Sequence, residues 1–254
     1  MQDVKLSAVK LSLLALAATL GACAVDGTDA DADVTDVEEV EATSDAIVGG
    51  QATSAYPAVG ALTRGGAPFC TGTVVTKRAV VTAAHCLDGQ SASRIRFAFG
   101  PNARSPQASV AVSRIVVHPS WDRRTIKNDI GVVILAEDAP VAPVAINSSM
   151  SSSWVGRTLE FVGYGATNGY TGGGSGTKRV VSIAVSEVGS TQFAYADRTK
   201  NTCFGDSGGP AFARNSANEL VLVGVTSYGD RTCSQFGVDT RVDAYRSFIA
   251  SAIQ

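Results

Sequence analysis

Residues 201–210 read NTCFGDSGGP, which sets Ser207 between an acid and two glycines. A serine hydroxyl becomes a nucleophile when a base lies within hydrogen-bond reach and a third group orients that base. The chain has two histidines, His85 in VVTAAHCLDG and His118 in VVHPSW, and both precede Ser207. With Asp129 in IKNDIGVVIL, the order along the chain is His, Asp, Ser. GDSGG at 205–209 also satisfies the G-x-S-x-G elbow of α/β-hydrolases, which would make an esterase. Chain order rejects that fold, because there the histidine follows the serine and helices alternate with strands.

The elements that must position these side chains read as strands almost throughout. TVVTKRAVVTAAHC, RIRFAFG, VAVSRIVVH, DIGVVIL, RTLEFVGYG, VVSIAVSEV and LVLVGVTSYG are rich in β-branched and aromatic residues. Alternation across Arg94–Phe99 puts Ile95, Phe97 and Phe99 on one face. RGGAP, GPNARSP and TNGYTGGGSG supply turn chemistry between the strands. The pattern predicts an all-β sandwich or barrel. Val242, Tyr245, Phe248, Ile249 and Ile253 fall near helical spacing and predict a packed C-terminal helix. NSSMSSSW, at 147–154, reads as a polar, flexible link between two barrels.

Composition removes other classes of function. Residues 25–46 carry nine Asp or Glu and no Lys or Arg, whereas from Ile47 onward 19 Lys plus Arg face 13 Asp plus Glu. That mild excess is spread singly and gives no basic stripe for nucleic acid. Lys5 and Lys10, followed by LSLLALAATL and the small residues 21–24, make an export signal over residues 1–22, too short to span a bilayer, which takes roughly 20 apolar residues. Cleavage after Ala24 and a lipoprotein-like cut before Cys23 both fit. The cysteine count favours the second: five is odd, and four in an exported domain leave Cys23 over for lipidation and a membrane tether. Residues 23–46 read as an acidic pro-segment or tether.

From Ile47 onward the chain resembles the chymotrypsin/trypsin family of serine endopeptidases. The resemblance spans residues 47–254 and rests on IVGG (47–50), TAAHC (82–86), NDI (128–130), GYG (163–165), GDSGGP (205–210), SYG (227–229) and GVDTRV before the final helix. It implies two six-stranded antiparallel β-barrels, with the boundary near 147–154. It makes His85, Asp129 and Ser207 the catalytic triad and the Gly205 and Ser207 N–H groups the oxyanion hole, where one donor is typically worth about 3 kcal/mol. It places Ser227 and Gly229 against the substrate backbone. It pairs Cys70 with Cys86 and Cys203 with Cys233, each bridge contributing roughly 3 kcal/mol. His118 is then a surface-loop residue without chemistry. Few bridges and a short interval from Asp129 to Ser207 suggest a compact, bacterial-type member. No cofactor or metal is implied, and the partners are protein or peptide substrates of a monomer.

The same resemblance implies a zymogen cut between Ala46 and Ile47, after which the Ile47 α-amine pairs with buried Asp206; breaking such a pair costs roughly 3–5 kcal/mol. Alanine before that bond excludes a trypsin-like activator, so the activating protease is another enzyme or the protein itself. Asn201 is expected as the floor of the specificity pocket, with Gly229 and Gly237 keeping its walls open. A neutral amide there argues against Lys or Arg and for aromatic, large apolar or broad preference. Asp230 or Asp239 leaning toward the pocket would restore a preference for cations. A binding protein that has lost catalysis, or an esterase or amidase of small molecules on the same fold, are the competing expectations.

Overall fold

The computed structural model describes residues 47–254. The export signal, Cys23 and the acidic segment to Ala46 lie outside the described residues. The chain enters through β1 (Gln51–Ala52) and then forms β2 (Val59–Arg64), β3 (Ala67–Val74), β4 (Ala79–Thr82), a single helical turn α1 (Ala84–Leu87), β5 (Arg96–Phe99), β6 (Ala108–Val117) and β7 (Gly131–Leu135). Strands β2-β3-β4-β7-β6-β5 close into an antiparallel barrel.

After β8 (Ala145–Ile146) come β9 (Thr158–Gly163), β10 (Arg179–Val188), β11 (Gln192–Tyr195), β12 (Pro210–Arg214), β13 (Leu220–Gly229), β14 (Gly237–Arg241) and the terminal helix α2 (Arg246–Ile253). The order β9-β10-β11-β14-β13-β12 returns to β9 through the pairs Ala211–Phe161 and Phe212–Glu160, closing a second six-stranded antiparallel barrel. β1 adds to the outside of β10, and β8 runs parallel to β13.

Alternation had assigned Ile95, Phe97 and Phe99 to one face, and all three are buried, Phe97 meeting Phe99 edge-on at 5.0 Å. The long apolar run 73–86 is not one strand. Thr76 Oγ1 accepts the Ala79 N–H at 2.9 Å and folds a turn at Lys77 and Arg78, so the run becomes the end of β3, then β4, then α1. The segment 147–154 is better held than its polar letters suggest. Met150 is buried in the second barrel, its N–H donates to Asp243 and its carbonyl accepts from Arg241. His118 stands in the loop directly after β6, as expected, and is half-buried there: its ring lies 5.2 Å from Tyr245 and 4.7 Å from Phe248, against the C-terminal helix, and burial lowers its pKa.

Candidate active site

His85 rides on α1, directly after β4, and the Cys70–Cys86 bridge ties that turn to β3. Asp129 is fully buried just before β7. Its Oδ2 lies 2.7 Å from His85 Nδ1, its Oδ1 accepts the His85 backbone N–H at 2.9 Å, and Ser227 Oγ donates to Oδ2 at 2.5 Å. Both carboxylate oxygens are thereby engaged. A proton on Nδ1 satisfies the short contact to Asp129 and leaves Nε2 as the free acceptor of the ring, on a side chain about one-third exposed. Thr240 Oγ1 donates to the Asp129 carbonyl at 3.0 Å, so the second barrel holds this residue from two strands, β13 and β14.

Ser207 stands in the loop before β12. The loop is folded by Asp206 N–H to Cys203 O (2.9 Å), Gly209 N–H to Asp206 O (2.7 Å) and Gly208 N–H to Thr226 O (2.8 Å). It docks on the first barrel through Thr71, whose N–H donates to Ser207 O and whose hydroxyl donates to Gly205 O, each at 2.9 Å. Sγ of Cys86, next to His85, lies 3.6 Å from Ser207 O. Gly205 adopts φ +99°, a conformation that side chains resist. Among the described residues neither the Gly205 nor the Ser207 N–H has an internal acceptor. No hydrogen bond joins Ser207 Oγ to His85 among them either; such bonds often tighten only when substrate is bound.

Asp206 is buried against Gly163 and Gly165, where any side chain would collide with its carboxylate. Its oxygens accept the N–H groups of Gly165 and Cys203, each at 2.8 Å. Burial pushes its pKa up to about 7.

Beside Ser207 lies a cavity of about 230 Å3 between residues 202–204 and 226–231, walled by Cys233 of the Cys203–Cys233 bridge. Gly229 lines it. Asn201 and Gly237, expected there, do not. Asn201 is buried in a bridge with Val48, its Oδ1 accepts the Thr202 N–H, and its Nδ2 has no partner among the described residues. The Tyr195 ring fills the space in front of Gly237. Among the polar groups lining the cavity is Thr202, whose hydroxyl meets Tyr195 OH at 2.7 Å, and Tyr195 OH donates to buried Asp239 at 3.1 Å. Sequence reasoning missed this chain because its members lie far apart in the letters; only the neighbouring Thr202 carried a signal.

The two carboxylates that were to restore a cation preference do not face the cavity as free charges. Asp230, although it lines the wall, folds its own loop. Working against desolvation, the Thr232 hydroxyl and the N–H groups of Gln235, Ser234 and Phe236 hold its pKa well below the usual range. Burial raises the Asp239 pKa well above it. Arg231 adds a cation to the wall.

Residues 47–249 match the family model described as Trypsin. The protein is 31% identical to Trypsin beta of Drosophila erecta over 202 residues, covering 72% of this chain and 78% of that one. It is 29% identical to Trypsin, alkaline C of Manduca sexta over 248 residues, covering 85% and 94%. Against Trypsin-3 of Salmo salar identity is 29% over 206 residues, covering 73% and 83%. Two formed disulfides fit an oxidising compartment. With two closed barrels, and a serine, a histidine and a buried aspartate gathered at their junction, the chain belongs to the trypsin family and is a serine endopeptidase.

Proposed function

We propose that the protein cleaves peptide bonds through an acyl-enzyme on Ser207, with His85 as general base and then general acid, and Asp129 fixing the imidazole tautomer and stabilising the imidazolium. The observation that carries this reading is the His85–Asp129–Ser227 hydrogen-bond set beside a loop that approaches Cys86 and in which the Gly205 and Ser207 N–H groups have no acceptor among the described residues. Those two donors would stabilise the oxyanion that develops on the scissile carbonyl, and Ser227 and Gly229 on β13 are the strand against which the substrate backbone lies. A fluorophosphonate probe tests it: the mature protein labels at Ser207, and Ser207→Ala does not. A probe that leaves Ser207 unlabelled while casein is still degraded would end this assignment.

Specificity follows from the cavity. Thr202, engaged by Tyr195, lines the cavity with a neutral hydroxyl, and of the two charged groups on the wall Arg231 opposes Lys or Arg while the Asp230 carboxylate is taken up by its own loop. The enzyme accordingly prefers large apolar, aromatic or amide side chains before the cut, unlike a protease with a carboxylate floor. Peptides varied at that residue measure this directly, and an Arg optimum would overturn it.

Domain organisation completes the proposal: an export signal over 1–22, an acidic segment over 23–46 and the protease over 47–254. Cutting between Ala46 and Ile47 frees an amine for Asp206. If Cys23 carries lipid, the same cut releases the enzyme from the membrane. The relatives compared are insect and fish proteins, so a bacterial-type affiliation rests on the lipoprotein-like start, the few bridges and the short interval from Asp129 to Ser207. Incubating Ser207→Ala zymogen with active enzyme reveals self-activation by a new Ile47 terminus.

A further inference from the structure

Asp206 presents a charge problem in the uncut chain. Its carboxylate is buried and accepts two neutral N–H groups, those of Gly165 and Cys203. Neutral donors only partly offset the desolvation of a full charge. In the matured enzyme the Ile47 α-amine is the proposed partner, but in the continuous chain that nitrogen is a peptide N–H. The loop it would control is nevertheless formed: Gly205 sits at φ +99°, the 203–206 and 206–209 turns are closed, and the Gly205 and Ser207 donors are free among the described residues.

A cation is at hand. Arg179 opens β10 and pairs with Gly163 of β9. Directly opposed residues of an antiparallel pair project to the same face, and on that face Gly163 has the Asp206 carboxylate where its own side chain would be. The Nε and Nη1 atoms of Arg179 are buried and have no hydrogen-bond partner among the described residues. A guanidinium otherwise forms forked hydrogen bonds readily, so two buried orphan donors call for an explanation. No direct ion pair with Asp206 forms in this conformation, yet the Arg179 charge favours ionised Asp206 across a buried gap, where screening is weak.

We propose that Arg179 is the standing counter-charge of Asp206 before cleavage, a positioning residue that keeps the 205–207 loop partly populated in its working form, so that the uncut protein is already a slow protease. Cleavage then raises activity by substituting a closer cation instead of creating the site. This rests on the reading that Ser207 is the nucleophile and that the Ile47 amine pairs with Asp206.

The experiment uses the full chain with Ala46→Pro to block the cut, intactness being verified by mass, beside enzyme matured at Ile47. The rates of fluorophosphonate labelling and of fluorogenic peptide hydrolysis are measured in both forms. The uncut protein is expected to label at Ser207. Arg179→Met lowers the uncut rate by roughly tenfold or more, since activity scales with the fraction of molecules in the competent conformation. Arg179→Lys restores much of that rate, and matured Arg179→Met stays within about twofold of matured wild type, the amine having taken over. An uncut protein that is inert while the matured one works, or an Arg179→Met that slows both forms equally, overturns the proposal. A matured wild type that is itself unlabelled overturns the underlying reading instead. Arg179→Gln, which keeps donors without the charge, serves if the methionine variant fails to fold; uncut activity equal to wild type in that variant also overturns the proposal.

Discussion

The two barrels bury different things. The first closes over Val59, Leu62, Val80, Val81, Phe97, Val132 and Val133, and its buried polar groups are the hydroxyls of Thr63, Thr71, Thr73 and Thr82. Its buried charge, Asp129, sits at the rim where the second barrel reaches it. The second barrel and its loops enclose Lys178, Asn201, Asp206 and Asp239. An apolar interior is indifferent to pH and to a distant peptide bond, whereas a buried charge is stable only as far as its partners allow. The half that carries His85 is therefore a fixed platform, and the half that carries Ser207 is the one whose state can be adjusted.

The sharpest way to break this division is to remove one reacting group from each side. Ser207→Ala and His85→Ala should each lower kcat by about a millionfold, and the double variant should be scarcely worse than either, because the groups act as a unit. Additive losses in single-turnover assays would show two independent sites. Next in size, Phe97→Ala in the first barrel should cost about 3–5 kcal/mol in urea unfolding. That cost should be the same at pH 5.5 and pH 8, since nothing ionisable is involved. Lys178 in the second barrel should behave otherwise. Burial, with the Ala55 and Tyr56 carbonyls and the face of the Tyr164 ring as neutral partners, lowers its pKa to about 8. The unfolded chain holds that proton longer, so the stability is fully present above the unfolded pKa, about 10.4, and is lost as pH falls through about 8. Lys178→Met should remove this rise and be more stable at pH 7 by about 1–3 kcal/mol; an identical pH profile for variant and wild type would place the ammonium in solvent. Smallest, Thr202→Val should shift the ratio of kcat/KM for Gln over Leu before the cut by about 1 kcal/mol against Gln, the worth of one hydrogen bond.

Much of this was legible in the letters, for reasons that differ by region. Ser207, His85 and Asp129 stand in short stretches whose turns and strand ends are locally encoded, and the chain gathers them at the barrel junction. The alternating face of β5 and the terminal helix were likewise readable from spacing, whereas the cysteine pairs followed only from the family resemblance. The floor of the cavity was not, because what fills the space before Gly237 is Tyr195, from a strand paired to β14 whose alternation spans only four residues and did not stand out among the longer apolar runs. Asp230 looked like a charge for a ligand, but its lone pairs are consumed by its own loop, which only three-dimensional geometry reveals. Met150 was misjudged because its serine neighbours concealed contacts made with Arg241 and Asp243, near the far end of the chain.

The hydrogen bonds that hold Asp129 have one more consequence. Ser227 lies 98 residues beyond it and Thr240 lies 111 beyond it. Contacts of such sequence separation are slow to close, and during synthesis their second partners leave the ribosome late. A half-made or half-folded chain can thus carry His85 and even Ser207 without a properly braced aspartate. Proteolytic capacity arrives with the last strands, so the molecule has little means of digesting its neighbours before it has finished folding.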